Sequence, residues 1–266
     1  MAQPDAGARE RGERGERGLG LRATQPGDPG SAGSGAQAAD PLRSQPAAST
    51  PTGPDQGAEA GSGSYDGGER PALPPGQYVP RTLPVLHYGP IPPFRKETWH
   101  LRIFGATESG AEARLCWDDL AAMPVSDVTA DFHCVTKFTV PGVRWHGILA
   151  SEVLRRYPPA APVTHVMIWA DFGYSANIRI SDFAAEQTVL ATHRDGARLT
   201  PEHGYPVRLV VPHLYAWKSV KWIRALEYLT KDRRGFWEER GYHNTADPWL
   251  EQRYSYQETD GEGPPL

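Results

Sequence analysis

The sequence predicts a strand-dominated α+β fold, and three observations lead to this prediction. Runs rich in β-branched and aromatic residues recur at 98–105, 125–136, 164–171 and 205–212. The helical stretches are shorter and lie at 117–124, 149–157 and 181–186. Strands and helices do not alternate regularly, which argues against a Rossmann-type parallel sheet.

Each strand prediction has its own local basis. The run TWHLRIFG alternates apolar and polar residues and ends at a glycine. The runs VSDVTADFHCVT, THVMIWAD and YPVRLVVP are rich in β-branched or aromatic residues, so Cys134 is expected inside a strand. Asp195-Gly196 lies between two short runs, which predicts a hairpin.

The helical stretches are WDDLAAMP, LASEVLRRY and SDFAAE. Ser181 opens the last of them and is expected to be its N-cap, because a serine side chain accepts a hydrogen bond from the first turn.

Composition divides the chain into three parts. Residues 1–75 contain no Val, Ile, Phe or Trp and are rich in Gly, Pro, Ala and Ser. Such a segment buries too little apolar surface to offset its chain entropy, so it is expected to be a disordered tail. Residues 76–258 have the length and aromatic content of one compact domain, and 259–266 are expected to be a flexible C-terminus.

Charge and hydropathy exclude several classes of partner. The 28 basic and 32 acidic residues give a net charge of −4, which provides no electrostatic support for a nucleic acid or an anionic membrane. No apolar run is long enough to span a bilayer, and the N-terminal residues show no apolar or twin-arginine export motif. We therefore expect a cytoplasmic protein without a membrane partner.

The two cysteines, Cys116 and Cys134, are too few for a disulfide framework, and a bridge between them is disfavoured. Free cysteines are commonly buried, so inert packing is the leading interpretation of Cys134 taken alone. Its neighbours His133, Thr136 and Lys137 would also suit a thiolate, and a thiolate is a soft metal ligand. The residues alone leave both interpretations open.

The stretch GYPVRLVVPHLYAWKSVKW over 204–222 is the second informative one. Arg208 lies in a predicted buried strand, and Lys218, Ser219 and Lys221 follow a proline-aromatic turn. Two lysines that flank a hydroxyl can hold a phosphate. An exposed loop with ordinary surface lysines explains the same window at least as well.

Taken together, FHCVTKF, VRWHGILASEVLRR and EHGYPVRLVVPHLYAWKSVKW resemble the sulfite oxidase-type molybdopterin oxidoreductases. The resemblance is in particular to their prokaryotic single-domain branch, related to the catalytic subunit of the periplasmic methionine-sulfoxide reductase. It covers roughly residues 80–255 and includes LHYGPIPPF and GFWEERGYHNTADPW.

The resemblance implies the fold of the sulfite oxidase molybdopterin-binding domain, a molybdenum–molybdopterin cofactor, and oxygen-atom transfer on a small sulfur- or nitrogen-oxo substrate. Cys134 would be the protein ligand of molybdenum, and Lys137 would stand near the place where sulfite oxidases carry arginines that receive sulfite. The remaining residues would contact the cofactor or its phosphate, and these are His87, His203, Arg208, Lys218, Ser219, Val220 and Lys221.

The chain also departs from the family. Val135, Thr136 and Lys137 follow the cysteine in place of paired arginines, which puts sulfite as the substrate in doubt. No haem motif is present, so a separate and unidentified protein is expected to supply or accept electrons. The first alternative is a non-catalytic cofactor-binding or interaction module on the same fold. The second is a zinc hydrolase, for which the sequence offers only scattered histidines and no HExxH or CxxC motif.

Overall fold

The computed structural model describes residues 72–265. The predicted disordered tail, apart from its last positions, lies outside the described residues. At the other end, Arg234 donates a hydrogen bond to the carbonyl oxygen of Pro264 (2.8 Å), and Asn244 donates one to that of Glu262 (3.0 Å). Contacts therefore continue beyond residue 258, and the flexibility of 259–266 stays a prediction.

The described chain contains ten strands and three short α-helices. In chain order they are β1 His100–Gly105, β2 Ala113–Cys116, α1 Trp117–Ala121, β3 Ser126–His133, β4 Thr139–Leu149, α2 Ala150–Arg156, β5 His165–Ala170, β6 Ser175–Arg179, α3 Ile180–Phe183, β7 Val189–Arg194, β8 Ala197–Arg198, β9 Arg208–Val210 and β10 Ile223–Leu229. The strand-dominated α+β prediction is confirmed. None of these helices combines the length and the apolar character that crossing a bilayer requires.

The strands form two five-stranded sheets. The first has the order β2-β1-β10-β5-β6, and only its β1–β10 pair is parallel. The second has the order β3-β4-β7-β8. Strand β8 pairs with the C-terminal end of β7, and β9 pairs with its N-terminal half, residues 189–191. The sequentially adjacent β3–β4 and β7–β8 pairs are antiparallel hairpins. Cys134 directly follows β3 and Arg208 begins β9, so the second sheet carries part of the candidate site.

The larger hydrophobic core lies between the two sheets, because it combines buried side chains from both. Its members include Leu101, Ile103, Ile168 and Leu226 of the first sheet, and Leu190 and Leu209 of the second. A smaller core includes Phe132, Val143 and Trp145 from the alternating buried positions of the β3–β4 hairpin. The second sheet is therefore apolar on both faces.

Most of the predicted elements are present, but two local expectations are wrong. The Asp195-Gly196 hairpin is confirmed as the β7–β8 turn, in which both residues have positive φ (51° and 82°). Ser181 is not an N-cap, because α3 begins at Ile180 and its N-cap is Arg179 without a side-chain hydrogen bond. Cys134 is not inside a strand, because β3 ends at His133.

Candidate functional site

Cys134 lies in the tight turn that joins β3 to β4. The Lys137 amide donates a hydrogen bond to the Cys134 carbonyl oxygen (3.1 Å), and the Cys134 amide donates one to the Phe138 carbonyl oxygen (2.8 Å). Lys137 adopts a φ of 72° in the left-handed region, which reverses the chain into β4. We call residues 134–138 the Cys134 turn. Its hydrogen bonds hold the thiol at a defined place at the end of the hairpin.

The Cys134 thiol is buried, with 7% of the residue exposed, and the Thr136 hydroxyl donates a hydrogen bond to its sulfur (3.1 Å). Burial raises the pKa of the thiol, while the hydrogen bonds from Thr136 and the charge of Arg253 oppose this rise. A bound metal ion would favour the thiolate, because metals bind the deprotonated form of cysteine. Cys116 is also a free thiol and is exposed.

Arg208 is buried at the start of β9 and is held by main-chain carbonyls. Its Nη2 donates a hydrogen bond to Ser219 O (2.8 Å), and its Nη1 donates one to His203 O (3.2 Å). The guanidinium group lies 5.2 Å from the ring centre of Phe132 and 5.6 Å from that of Trp145. These contacts fix the charge against the aromatic side of the β3–β4 hairpin.

Lys221 lies beside Arg208, where Gly204 allows a close approach. Lys221 Nζ donates hydrogen bonds to the carbonyl oxygens of Glu202 (2.7 Å) and Leu86 (2.8 Å). Gly204 has a φ of 107°, and a Cβ atom there would lie 3.0 Å from Arg208 Cβ and 3.2 Å from Lys221 Cβ. Glycine is needed at this position both for its backbone conformation and for the space between the two cations.

Arg194, Arg208 and Lys221, together with the ring of His203, form what we call the cation cluster. Burial and Arg194 lower the pKa of Arg208 to about 9 and that of His203 to about 4. Burial and Arg208 lower the pKa of Lys221 to about 7. The buried atoms Arg194 Nη1 and His203 Nε2 have no hydrogen-bond partner among the described residues. Arg194 Nε lies 3.5 Å from Asp195 Oδ2, whereas Arg208 and Lys221 have no carboxylate partner among the described residues. The cluster therefore has excess positive charge and buried nitrogens without a partner, which favours the binding of an anion.

Lys218 does not belong to this cluster, which corrects the expectation that it shares a phosphate pocket with Lys221. Its ammonium group is fully buried and lies 2.6 Å from Glu238 Oε1. It also donates hydrogen bonds to the main-chain oxygen (2.7 Å) and side-chain oxygen (3.0 Å) of Asn177. Its charge is compensated within the protein, so it is not available to a phosphate.

Ser219 and Val220 are also occupied by internal contacts. The Ser219 amide bonds to Ala216 O (3.0 Å), and the Val220 amide bonds to Lys218 O (3.2 Å). The Ser219 hydroxyl accepts a hydrogen bond from the Val211 amide (2.9 Å). These two residues shape the loop before Lys221. Their predicted direct contact with a phosphate has no support from these bonds.

Two further predicted residues lie at the rim of the site. His87 is exposed, packs edge-on against Trp222 (5.3 Å between ring centres) and follows Leu86, whose carbonyl oxygen binds Lys221. Lys137 is exposed in the turn that carries Cys134. Both positions are compatible with the predicted roles, which stay predictions.

Sequence reasoning missed two residues of the site. Arg194 ends β7 directly before the Asp195-Gly196 turn, and a basic residue in that position is common in surface hairpins, so it gave no signal. Tyr174 is partly buried and donates a hydrogen bond to Trp217 O (2.7 Å). Burial and the charge of Glu238 raise its pKa well above the usual value, and Arg208 opposes this rise. No motif identified this tyrosine.

A buried thiol and a cluster with excess positive charge are the groups that an anionic, metal-bearing cofactor requires of a protein. Comparison with known families agrees, because residues 88–237 match the oxidoreductase molybdopterin binding domain. The chain belongs to this family. It is an oxidoreductase that uses a molybdenum–molybdopterin cofactor.

Three relatives show how far the similarity extends. The chain is 37% identical over 185 residues to the uncharacterized oxidoreductase YuiH of Bacillus subtilis, covering 69% of this chain and 92% of YuiH. It is 24% identical to the protein-methionine-sulfoxide reductase catalytic subunit MsrP of Campylobacter jejuni, covering 58% of this chain and 59% of MsrP. It is 25% identical to mitochondrial sulfite oxidase of Rattus norvegicus, covering 58% of this chain and 33% of that enzyme.

The residues of the site fit this cofactor. Its phosphate requires positive charge and donors, and the cation cluster provides both, including the two buried atoms without a partner. Its metal requires a soft protein ligand, and Cys134 is the buried thiol of the described chain. The Arg208 guanidinium packs against Phe132, which lies two residues before Cys134, so the cation cluster lies beside the strand that leads to the thiol.

Proposed function

We propose that this domain catalyses oxygen-atom transfer on a small sulfur- or nitrogen-oxo substrate, with Cys134 as the thiolate ligand of molybdenum. One observation carries this proposal. A buried thiol in a tight turn is combined with a cation cluster in which two buried nitrogen atoms have no hydrogen-bond partner among the described residues. When bound, the cofactor supplies oxygen-atom exchange coupled to a two-electron change at the metal.

The chain's own residues divide the remaining work. Arg194, Arg208 and Lys221 hold the cofactor phosphate by charge and hydrogen bonds, and His203 donates a hydrogen bond from Nε2. Lys137 is the exposed cation of the Cys134 turn and attracts an anionic substrate. A separate electron-transfer protein completes the cycle, and a cytoplasmic location stays a prediction.

The non-catalytic alternative would keep the same cofactor contacts without turnover. The zinc hydrolase alternative requires several ligands to converge. Within residues 72–265, no group of three or more His, Cys, Asp or Glu side chains is placed to hold a metal ion. We therefore favour the oxidoreductase over both.

The test uses the full-length protein from a host that makes the molybdenum cofactor. Wild-type protein should contain close to one molybdenum per chain. Cys134→Ala should lose most of this metal, and Cys134→Ser should lose oxygen-atom transfer, because an alkoxide is a hard ligand in place of a soft one. Cys116→Ser is the matched control, since it alters the exposed cysteine and should keep both metal and activity.

Activity is then measured with sulfite, methionine sulfoxide and other S- or N-oxides. A Cys134→Ser variant that is fully loaded with molybdenum and active would overturn the assignment of the ligand. A wild-type protein that is loaded with molybdenum but inactive on every oxo substrate would favour the non-catalytic alternative.

A further inference from the structure

Three carbonyl groups of the Cys134 turn are bonded to residues outside the region that matches the family. Gln77 Nε2 donates a hydrogen bond to Cys134 O (3.1 Å), and the Tyr78 amide donates one to Lys137 O (2.9 Å). Arg253 Nη1 donates one to Val135 O. Gln77 and Tyr78 precede the matched residues 88–237, and Arg253 follows them.

The N-terminal contact is a short added strand. Tyr78 pairs with Phe138 in a parallel bridge, and the Thr139 amide donates a hydrogen bond to Tyr78 O (2.9 Å). The Thr139 hydroxyl also donates one to Gln77 Oε1 (3.3 Å). Main-chain and side-chain bonds therefore hold both ends of the turn to the same segment.

The C-terminal contact is a buried charge. Arg253 is 7% exposed, and its guanidinium group lies 5.0 Å from the ring centre of Tyr215. Its Nη2 is 3.7 Å from Glu251 Oε1, which is too long for a hydrogen bond. The close contact of the guanidinium is thus with Val135 O, directly beside the thiol residue.

We propose that Gln77 and Arg253 are positioning residues that clamp the Cys134 turn in the geometry a metal ligand needs. Within the turn there are two main-chain hydrogen bonds and the bond from the Thr136 hydroxyl to the thiol, and none of them ties the turn to the rest of the domain. Without the clamp the thiol would therefore sample several positions. This inference rests on the proposed ligand role of Cys134. It adds that the ligand is held by segments outside the family-matched region.

The experiment compares Gln77→Leu, Arg253→Met and Arg253→Lys with two matched controls in the full-length protein. Gln187 also donates from Nε2 to a main-chain carbonyl, Thr129 O (3.3 Å), so Gln187→Leu controls for the loss of such a bond. Arg155 is an exposed arginine paired with Glu152, so Arg155→Met controls for the loss of a cation.

The first measurement is hydrogen–deuterium exchange at the amides of Cys134 and Lys137 in cofactor-free protein. We expect about tenfold faster exchange in Gln77→Leu and Arg253→Met, the effect of losing one hydrogen bond, and no change in the controls. The second measurement is the Mo(V) electron paramagnetic resonance spectrum of loaded protein. We expect altered g-values in both clamp variants, with Arg253→Lys between Arg253→Met and wild type.

Turn exchange and spectra equal to those of the controls in all three clamp variants would overturn the proposal. If Arg253→Met fails to fold, Gln77→Leu and Arg253→Lys decide by the same criteria. The proposed function fails separately: faster exchange in the clamp variants, together with a wild-type protein that takes up no molybdenum, would leave the clamp standing and remove the ligand role.

Discussion

Replacing Lys221 by Met should change how the stability of the cofactor-free protein depends on pH. Burial and Arg208 lower the pKa of Lys221 from 10.5 to about 7 in the folded state. Between these two values the unfolded chain binds the proton more tightly than the folded chain. The stability of the wild-type protein must therefore rise with pH across this window.

The size of the effect follows from the two pKa values. Keeping Lys221 in the folded site costs about 5 kcal/mol at pH 6 and about 2 kcal/mol at pH 9, relative to a side chain that does not titrate. Lys221→Met removes this dependence. It also removes the hydrogen bonds to Leu86 O and Glu202 O, but that loss is the same at every pH.

The assay is urea unfolding of both proteins from pH 6 to pH 9, with Lys231→Met as an exposed control. The difference in the free energy of unfolding between wild type and Lys221→Met should shift by about 3 kcal/mol across this range, with the variant relatively more stable at pH 6. Parallel pH profiles for the two proteins would refute the view that Lys221 is an uncompensated buried cation. Inorganic phosphate should reduce the shift, because a bound anion restores the missing charge.

Three further outcomes are expected. Glu238→Gln should lower the free energy of unfolding by about 3–5 kcal/mol in urea, because it leaves the Lys218 charge buried without its anion; a loss below about 1 kcal/mol would contradict this role. Gly204→Ala should reduce molybdenum content severalfold while the circular dichroism spectrum stays native. The new Cβ would contact Arg208 too closely, and alanine rarely adopts a φ of 107°. Full molybdenum occupancy in this variant would argue against the close approach. Lys137→Glu should raise the KM for an anionic oxo substrate such as sulfite and leave that for a neutral sulfoxide little changed, measured by steady-state kinetics; equal effects on both would remove charge attraction as its role.

The sequence was sufficient for features that depend on neighbouring residues. The Asp195-Gly196 turn and the β1 and β5 strands were predictable, because local alternation and turn chemistry decide them. The strand predicted over 205–212 is shorter in the structure, at Arg208–Val210, and Pro206 before it has no N–H to donate to a ladder. Local patterns also could not show that β3 stops one residue before Cys134.

Only those residues of the site that belong to a sequence motif could be predicted. The resemblance implied that Arg208 contacts the cofactor and Lys221 its phosphate, and both residues lie in the cation cluster. Arg194 reaches the cluster because β7 pairs with β9, and such a long-range pairing is not visible in the spacing of residues. Lys218 was misplaced for the same reason, since Glu238 compensates its charge from a distant part of the chain.

The contact between Arg253 and Val135 has a consequence for synthesis. The two residues are 118 positions apart, so the cysteine turn leaves the ribosome long before the arginine that holds it. Closing a loop of this length is slow compared with forming the hairpin itself. A nascent chain would therefore present its thiol on a hairpin that is held by Gln77 and Tyr78 but not yet by Arg253. Cofactor insertion should favour chains that have been released from the ribosome.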